Sequence, residues 1–204
     1  MKTKVLLHGY NPNEPNWERV IWGEPPDKPG RVPMAVAAAI ESNGELMIFH
    51  ATDGSGPMMI KYWEDHCDQF GEFTCFDILK KISVDDIIAT LNIQIVDLPV
   101  RPKNTWEESL ALKEILKGNP YKIIAVSSMD HAPRVYRDLC RAFRGQPIVL
   151  ANLSVRGALT LYGPKTLEEE KEWGMGHVVI LEIPGVRANL ELIRAKNWTP
   201  DPLP

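Results

Sequence analysis

Several kinds of protein are excluded by what this sequence lacks. It has three cysteines, Cys67, Cys75 and Cys140, with no CxxC pair among them. An odd, widely spaced set gives no disulfide framework and no four-ligand structural zinc site, and fits free thiols in a reducing compartment. No apolar run approaches the ~20 residues of a membrane span, and Lys4 to Leu7 is too short for the core of a signal peptide. The expected location is therefore the cytoplasm, with no membrane partner. A basic surplus is missing too: the net charge is −4, which argues against nucleic acid as a partner. Neither the GxGxxG dinucleotide fingerprint nor the GKS/GKT ending of a P-loop occurs. No HxxxH or similar spacing supports a metal site, so hydrolysis at a metal held by His8, His50, Asp53 or His131 ranks last. Internal repeats and low-complexity tracts are absent.

What is present is an ordinary globular composition, 44% hydrophobic and 25% charged, in a chain of 204 residues. That length suits one domain with a sizeable core. The prolines cluster near the N-terminus (Pro12 to Pro33) and at the very end, marking irregular connections. Between them, strand and helix signals alternate. Val5-Leu6-Leu7 reads as a buried strand ending at His8-Gly9-Tyr10-Asn11, and Pro33 opens an alanine-rich helix, Met34 to Ser42, stopped by Asn43-Gly44. Glu45 to Ala51 is a second strand, breaking at Thr52 to Pro57. Met58 to Phe70 and Phe76 to Ile82 read as helical, and Ser83-x-x-Asp86 caps a helix to Leu91. Ile93 to Leu98 is a strand, and Thr105-x-x-Glu108 is a capping box for a helix to about Lys117. Lys122 to Val126 has the continuous apolar run of a central parallel strand. A helix from Pro133 to Phe143, a strand from Pro147 to Leu153, a helix from Leu167 to Trp173, a strand from His177 to Ile183 and a last helix from Gly185 to Lys196 complete the reading. The alternation predicts an α/β protein: a Rossmann-like, doubly wound, mostly parallel sheet with helices on both faces.

In such a sheet, ligands bind beyond the carboxyl ends of the strands, where the strand order reverses. Four strand ends carry polar clusters. Ser127, Ser128, His131 and Arg134 lie at a helix start, where free N–H groups and the helix dipole favour a phosphate or carboxylate. The plain alternative is that Ser128 or Asp130 caps that helix and the rest is surface. Arg137, Arg141 and Arg144 share a face with Arg134, opposite Val135, Leu139 and Ala142, and read as a solvated stripe. Arg101, Lys103 and Asn104 precede a second helix start, where Asn104 or Thr105 can cap and Glu108 can complete the box; that account explains Thr105 and Glu108 but leaves Arg101, Lys103 and Asn104 unexplained. Asp53-Gly54-Ser55-Gly56 offers a backbone that a ligand can approach closely, or a simple turn. His8, Gly9 and Asn11 at the first strand end are equally ambiguous. Trp17, Trp22, Trp63 and Tyr62 are open to three roles: covering the pocket, packing the core or forming an interface. Oligomeric state is not readable.

Taken in order, these stretches resemble the YdcF/SanA/ElyC-like family of bacterial proteins. The correspondence runs through Val5 to Gly9, Arg31 to Ala39 and Ile48 to Gly56. It continues in Arg101 to Glu108 against "S-x-N-T-x-E-N", and in Ser127 to Arg134 against "(T/S)-S-x-x-H-x-x-R". It covers residues 4–160 of a single domain spanning 1–204, leaving 161–204 as a C-terminal helix and strand extension. The first turn is less glycine-rich than in the family, His50-Ala51-Thr52-Asp53-Gly54 replaces Ser-Gly-Gly, and Glu108 stands where the family has Asn. Those departures point to a distinct ligand. The resemblance implies a Rossmann-like fold with its ligand at the strand ends and, in the manner of the soluble branch, S-adenosylmethionine as a candidate cofactor; the helix starts and basic residues point to an anionic small molecule, a nucleotide among them. Two functions follow. In the first, an enzyme acts on a phosphorylated or nucleotide-like substrate: Arg101, Asn104, His131 and Arg134 hold the anion, His131 serves as acid or base and Asp53 as its partner carboxylate. In the second, the same pocket binds such a ligand without turnover.

Overall fold

The computed structural model describes residues 2–26, 28–73, 83–117, 121–128, 131–143, 149–151 and 178–183. The expected helices Phe76 to Ile82, Leu167 to Trp173 and Gly185 to Lys196 lie outside the described residues. So does most of 161–204.

A six-stranded sheet has the order β5-β4-β1-β6-β8-β7. The strands are β1 (Lys2–Leu7), β4 (Glu45–Phe49), β5 (Ile93–Val96), β6 (Tyr121–Ser128), β7 (Val149–Ala151) and β8 (Val178–Ile183). A small antiparallel ribbon, β2 (Gly23–Glu24) with β3 (Lys28–Pro29), stands apart. β5, β4, β1 and β6 run parallel. β8 is antiparallel to both β6 and β7, so the late strand expected at His177 to Ile183 enters the same sheet in reverse.

The alternating side chains of the parallel strands build two cores. Val5, Leu7, Leu46, Ile48, Ile124 and Val126 face one side. There they meet α2 (Arg31–Ser42), α3 (Ser55–His66) and α4 (Val84–Thr90). Leu6, Met47, Phe49, Ile123 and Ala125 face the other. There they meet α5 (Thr105–Ile115) and α6 (Ala132–Ala142), through Leu112, Val135, Leu139 and Ala142. The result is a three-layer, Rossmann-like α/β fold, because a central strand with no polar face needs cover on both sides. Trp17, Trp22 and Trp63 are buried in the first core, where Trp22 packs on Phe70 and Phe73.

Local chemistry sets the element ends. α2 begins at Arg31, two residues before the expected Pro33 start, with Gly30 as N-cap. It stops at Asn43, which takes the left-handed conformation (φ 49°), as Asn does more readily than most residues. α3 starts at Ser55 because Gly54 adopts φ 76°, and it continues as a 3-10 turn, Cys67–Glu72. Ser83 caps α4 by accepting the N–H of Asp86, as its sequence predicts. The proline-rich stretch after β1 holds a helix that the sequence reading passed over, α1 (Trp17–Ile21), whose apolar side joins the first core.

From β1 the chain passes over the first face to β4 and β5. It then crosses by α5, on the second face, to β6 on the far side of β1. The strand order therefore reverses between β1 and β6, and their outgoing chains part toward opposite faces. The N–H of His8 still bonds the carbonyl of Val126, so the two strands stay paired up to the point where the crevice opens.

Candidate functional site

A cavity of about 330 Å³ lies at that reversal. It falls at the small end of the usual ~300–1,000 Å³ range for ligand sites. The loops after β1, β4, β5 and β6 all reach it. Gly9, Asn11, Asp53 and Ser55 line one part, and Asn104, Thr105, Glu108, His131 and Arg134 another. Nine of the expected site residues thus share one wall.

The others fall elsewhere. His8 and Ser127 are fully buried just behind the lining. Gly54 serves as the N-cap of α3. Ser128 closes β6 opposite Val178, and its side chain lies outside the described residues. Arg101 departs most from expectation. It is exposed and its Nε donates to Asp97, 3.2 Å away, in a shallow neighbouring groove. That hydrogen bond is the main reason the Asp97 carboxyl sits below the usual range. Arg101 therefore does not face Arg134 across the cavity; the cationic side chain that the β5 loop brings to the wall is Lys103.

The start of α5 explains this exchange. Of the two expected caps, Asn104 and Thr105, Asn104 is the N-cap: its side chain accepts the N–H of Glu107 at 3.0 Å. Glu107 reaches back to the N–H of Lys103 at 2.9 Å. The box is displaced by one residue, which releases Thr105 and Glu108 from capping and turns both into the cavity.

Behind the wall lies a connected polar layer. Thr105 Oγ1 is 2.9 Å from Nε2 of His131, and Ser127 Oγ is 3.1 Å from its Nδ1. A neutral imidazole has one donor and one acceptor, so it satisfies both hydroxyls at once. Burial, then the charge of Arg31, with smaller effects of His8 and Arg134, push the pKa of His131 down to about 2. Nδ1 of His8 donates to Oε2 of Glu108 at 2.9 Å, and the His8 ring stands edge-on to that of His131, centroids 6.1 Å apart. Arg31, fully buried at the start of α2, donates to the carbonyls of His8 and Gly9 and lies 5.1 Å from the Tyr10 ring.

The wall also holds Tyr10, Glu14 and Ala51, which were not among the expected site residues, and Lys103, one of the two basic residues expected before a helix start; Arg31 lies behind it. Lys103 and Arg31 carried a signal, as basic residues beside helix starts. Glu14 carried none: it arrives through a turn in which its N–H bonds the carbonyl of Asn11.

The N-termini of three helices, α3, α5 and α6, meet the cavity through Ser55, Asn104–Thr105 and His131–Arg134. They are not equivalent. At α3, Asp53 already accepts the N–H of Ser55 at 2.9 Å, and at α5 the Glu107 carboxylate occupies the cap. Among the described residues, the first turn of α6 has no acidic residue, its N-cap His131 makes no side-chain cap hydrogen bond, and the turn carries Arg134. Its dipole and cation are the ones left to meet an anion. Among the described residues, no three His, Cys, Asp or Glu side chains cluster as a metal site, and no helix is long and apolar enough to cross a membrane.

Fold and site together define a Rossmann-like α/β protein with a small polar cavity at its topological switch point. No protein-family model matches the chain, and no curated protein matches it significantly.

Proposed function

We propose that this protein binds an anionic small molecule, phosphorylated or nucleotide-like, in the switch-point cavity. The observation that carries this reading is the first turn of α6, which brings Arg134 to the cavity with no carboxylate in that turn and no cap bond from the side chain of His131. Lys103 adds a second cation on the wall. The motif order that resembles the YdcF-like family supports the same ligand class; membership of that family and a cytoplasmic location belong to the same proposal.

Binding should appear as thermal stabilisation. A ligand at one hundred times its Kd adds about 2.7 kcal/mol, equivalent to roughly 5–10 °C in a chain of this size. Adenosine 5′-monophosphate, ribose 5-phosphate, S-adenosylmethionine and inorganic phosphate are the probes, followed by calorimetric titration. Arg134→Ala should weaken binding about tenfold or more, the worth of a charge-assisted hydrogen bond. Unchanged affinity in that variant would sink the reading.

A second reading, binding without turnover, is favoured by His131. Both of its nitrogens are engaged and it is held neutral, so it serves as a fixed hydrogen-bonding wall and not as a proton carrier. Product analysis after prolonged incubation with the tightest probe separates the two: any His131-dependent turnover would restore the catalytic reading.

A further inference from the structure

The wall carries more carboxylates than an anion site needs. Against Lys103 and Arg134 stand Glu14, Asp53 and Glu108. A bare phosphate gains from the first pair and is repelled by the rest. Glu108 is the most informative of the three. Its helix does not use it as a cap, since Asn104 and Glu107 perform that task. It is 8% exposed, and burying a carboxylate has a cost that a surface position would avoid. Oε2 is held by Nδ1 of the fully buried His8, while none of the described residues donates a hydrogen bond to its other oxygen. A carboxylate fixed on one oxygen and open on the other is a directed acceptor.

Ser55 supplies a second, independent observation. It lies on the same wall, is 1% exposed, and its hydroxyl has no hydrogen-bond partner among the described residues. Gly9, also on the wall, presses against this hydroxyl so closely that a β-carbon there would collide with it. A buried hydroxyl without a partner costs about 1–3 kcal/mol unless a ligand completes it.

We propose that Glu108, braced by His8, together with Ser55, forms a hydroxyl-recognising half of the cavity, so that the ligand is a phosphorylated polyol, a sugar phosphate or a nucleotide with its ribose intact. The inference rests on the anion reading above and adds the second half of the ligand. Glu108 accepts from a ligand hydroxyl, Ser55 exchanges a hydrogen bond with the same sugar, and the phosphate lies at Arg134. Asp53, which spends Oδ1 on the N–H of Ser55, faces the same space from the end of β4. An acidic side chain beyond the second strand of a doubly wound sheet is a general means of holding ribose hydroxyls. His8 is a positioning residue: it touches Glu108 and not the cavity.

Calorimetric titration of two matched pairs tests this: adenosine 5′-monophosphate against its 2′,3′-dideoxy form, and ribose 5-phosphate against its 2-deoxy form. In the native protein, the hydroxyl-bearing member of at least one pair should bind about tenfold or more tightly, the worth of a hydrogen bond to a charged acceptor. Glu108→Gln should bring that ratio close to one: both members of a pair gain from the lost repulsion of their phosphate, and only the hydroxyl-bearing member loses its acceptor. His8→Asn should shrink the ratio in the same way, a readout that a merely structural role would not move. Ser55→Ala, a smaller change, should reduce the ratio about threefold and keeps the test available if Glu108→Gln does not fold. Equal affinity within both pairs, with Arg134→Ala still weakening all four ligands, would overturn this inference and leave the anion reading standing. Binding of none of the four would overturn both.

Discussion

At the scale of single residues, His131 shows how burial selects a role. Its ring joins Ser127 on β6 to Thr105 on α5, and its burial there opposes the charged form. Its folded pKa is about 2, against about 6.5 for a free imidazole. Between those values the unfolded chain binds one proton that the folded chain does not. This residue therefore contributes nothing to pH dependence above about pH 6.5, and an increasing penalty as the pH falls below it. The penalty steepens to about 1.4 kcal/mol per pH unit. Replacement by a residue that does not titrate removes that slope. Urea unfolding of His131→Gln between pH 6 and pH 4 should show stability falling less steeply than in the native chain by about that amount. Parallel curves for the two proteins would mean that His131 is not held neutral. His131 is also where the sequence was most readable and most misleading. Its position beyond an apolar strand and before Pro133 marked the site, but ordinary imidazole chemistry pointed to acid–base work. Burial, and then the charge of Arg31 from the start of α2, oppose its protonation, and both are set by distant parts of the chain.

At the scale of elements, the start of α5 turns on a one-residue ambiguity. Asn104 with Glu107, and Thr105 with Glu108, both have the spacing of a capping box, and sequence alone does not rank them. Register against the sheet does. With Asn104 as the cap, Ser109 and Leu112 are buried, and Thr105 and Glu108 turn toward the strand ends. Asn104→Ala should therefore cost about 1 kcal/mol of stability, the usual worth of an N-cap. Thr105→Ala should leave helix capping intact and disturb the contact with His131 instead. Chemical denaturation of the two variants, read beside the His131 ring resonances, distinguishes them: resonances that move in Asn104→Ala alone would reverse the assignment. The same logic accounts for Arg101. A basic residue before a helix start looks like an anion ligand in one dimension, yet Asp97, four residues earlier, captures it outside the cavity.

At the scale of the whole molecule, the alternation of strands and helices fixed the class of fold, and the placement of polar clusters after strands fixed the end of the sheet that matters. Strand order and direction were not legible, because β8 pairs in reverse between β6 and β7 through contacts distant in sequence. Nor was the segment between β1 and α2, whose small helix and ribbon return the chain to the switch point at Arg31. Arg31 is where these levels meet. It closes that excursion by binding the carbonyls of His8 and Gly9, and its charge is the second cause, after burial, of the low pKa of His131. Arg31→Met keeps a long apolar side chain while removing the donors and the charge. Each buried carbonyl left without a donor costs about 1–3 kcal/mol, so stability should fall measurably in urea. The pKa of His131 should rise in the same variant while remaining below the ordinary imidazole value, because the larger cause, burial, is untouched. Nuclear magnetic resonance titration of the His131 ring reads that shift directly. A loss of stability with an unmoved His131 would show that Arg31 holds the loop but does not set the electrostatics of the site. A rise would tie the excursion after β1 to the charge state of a wall that β6 and α5 build.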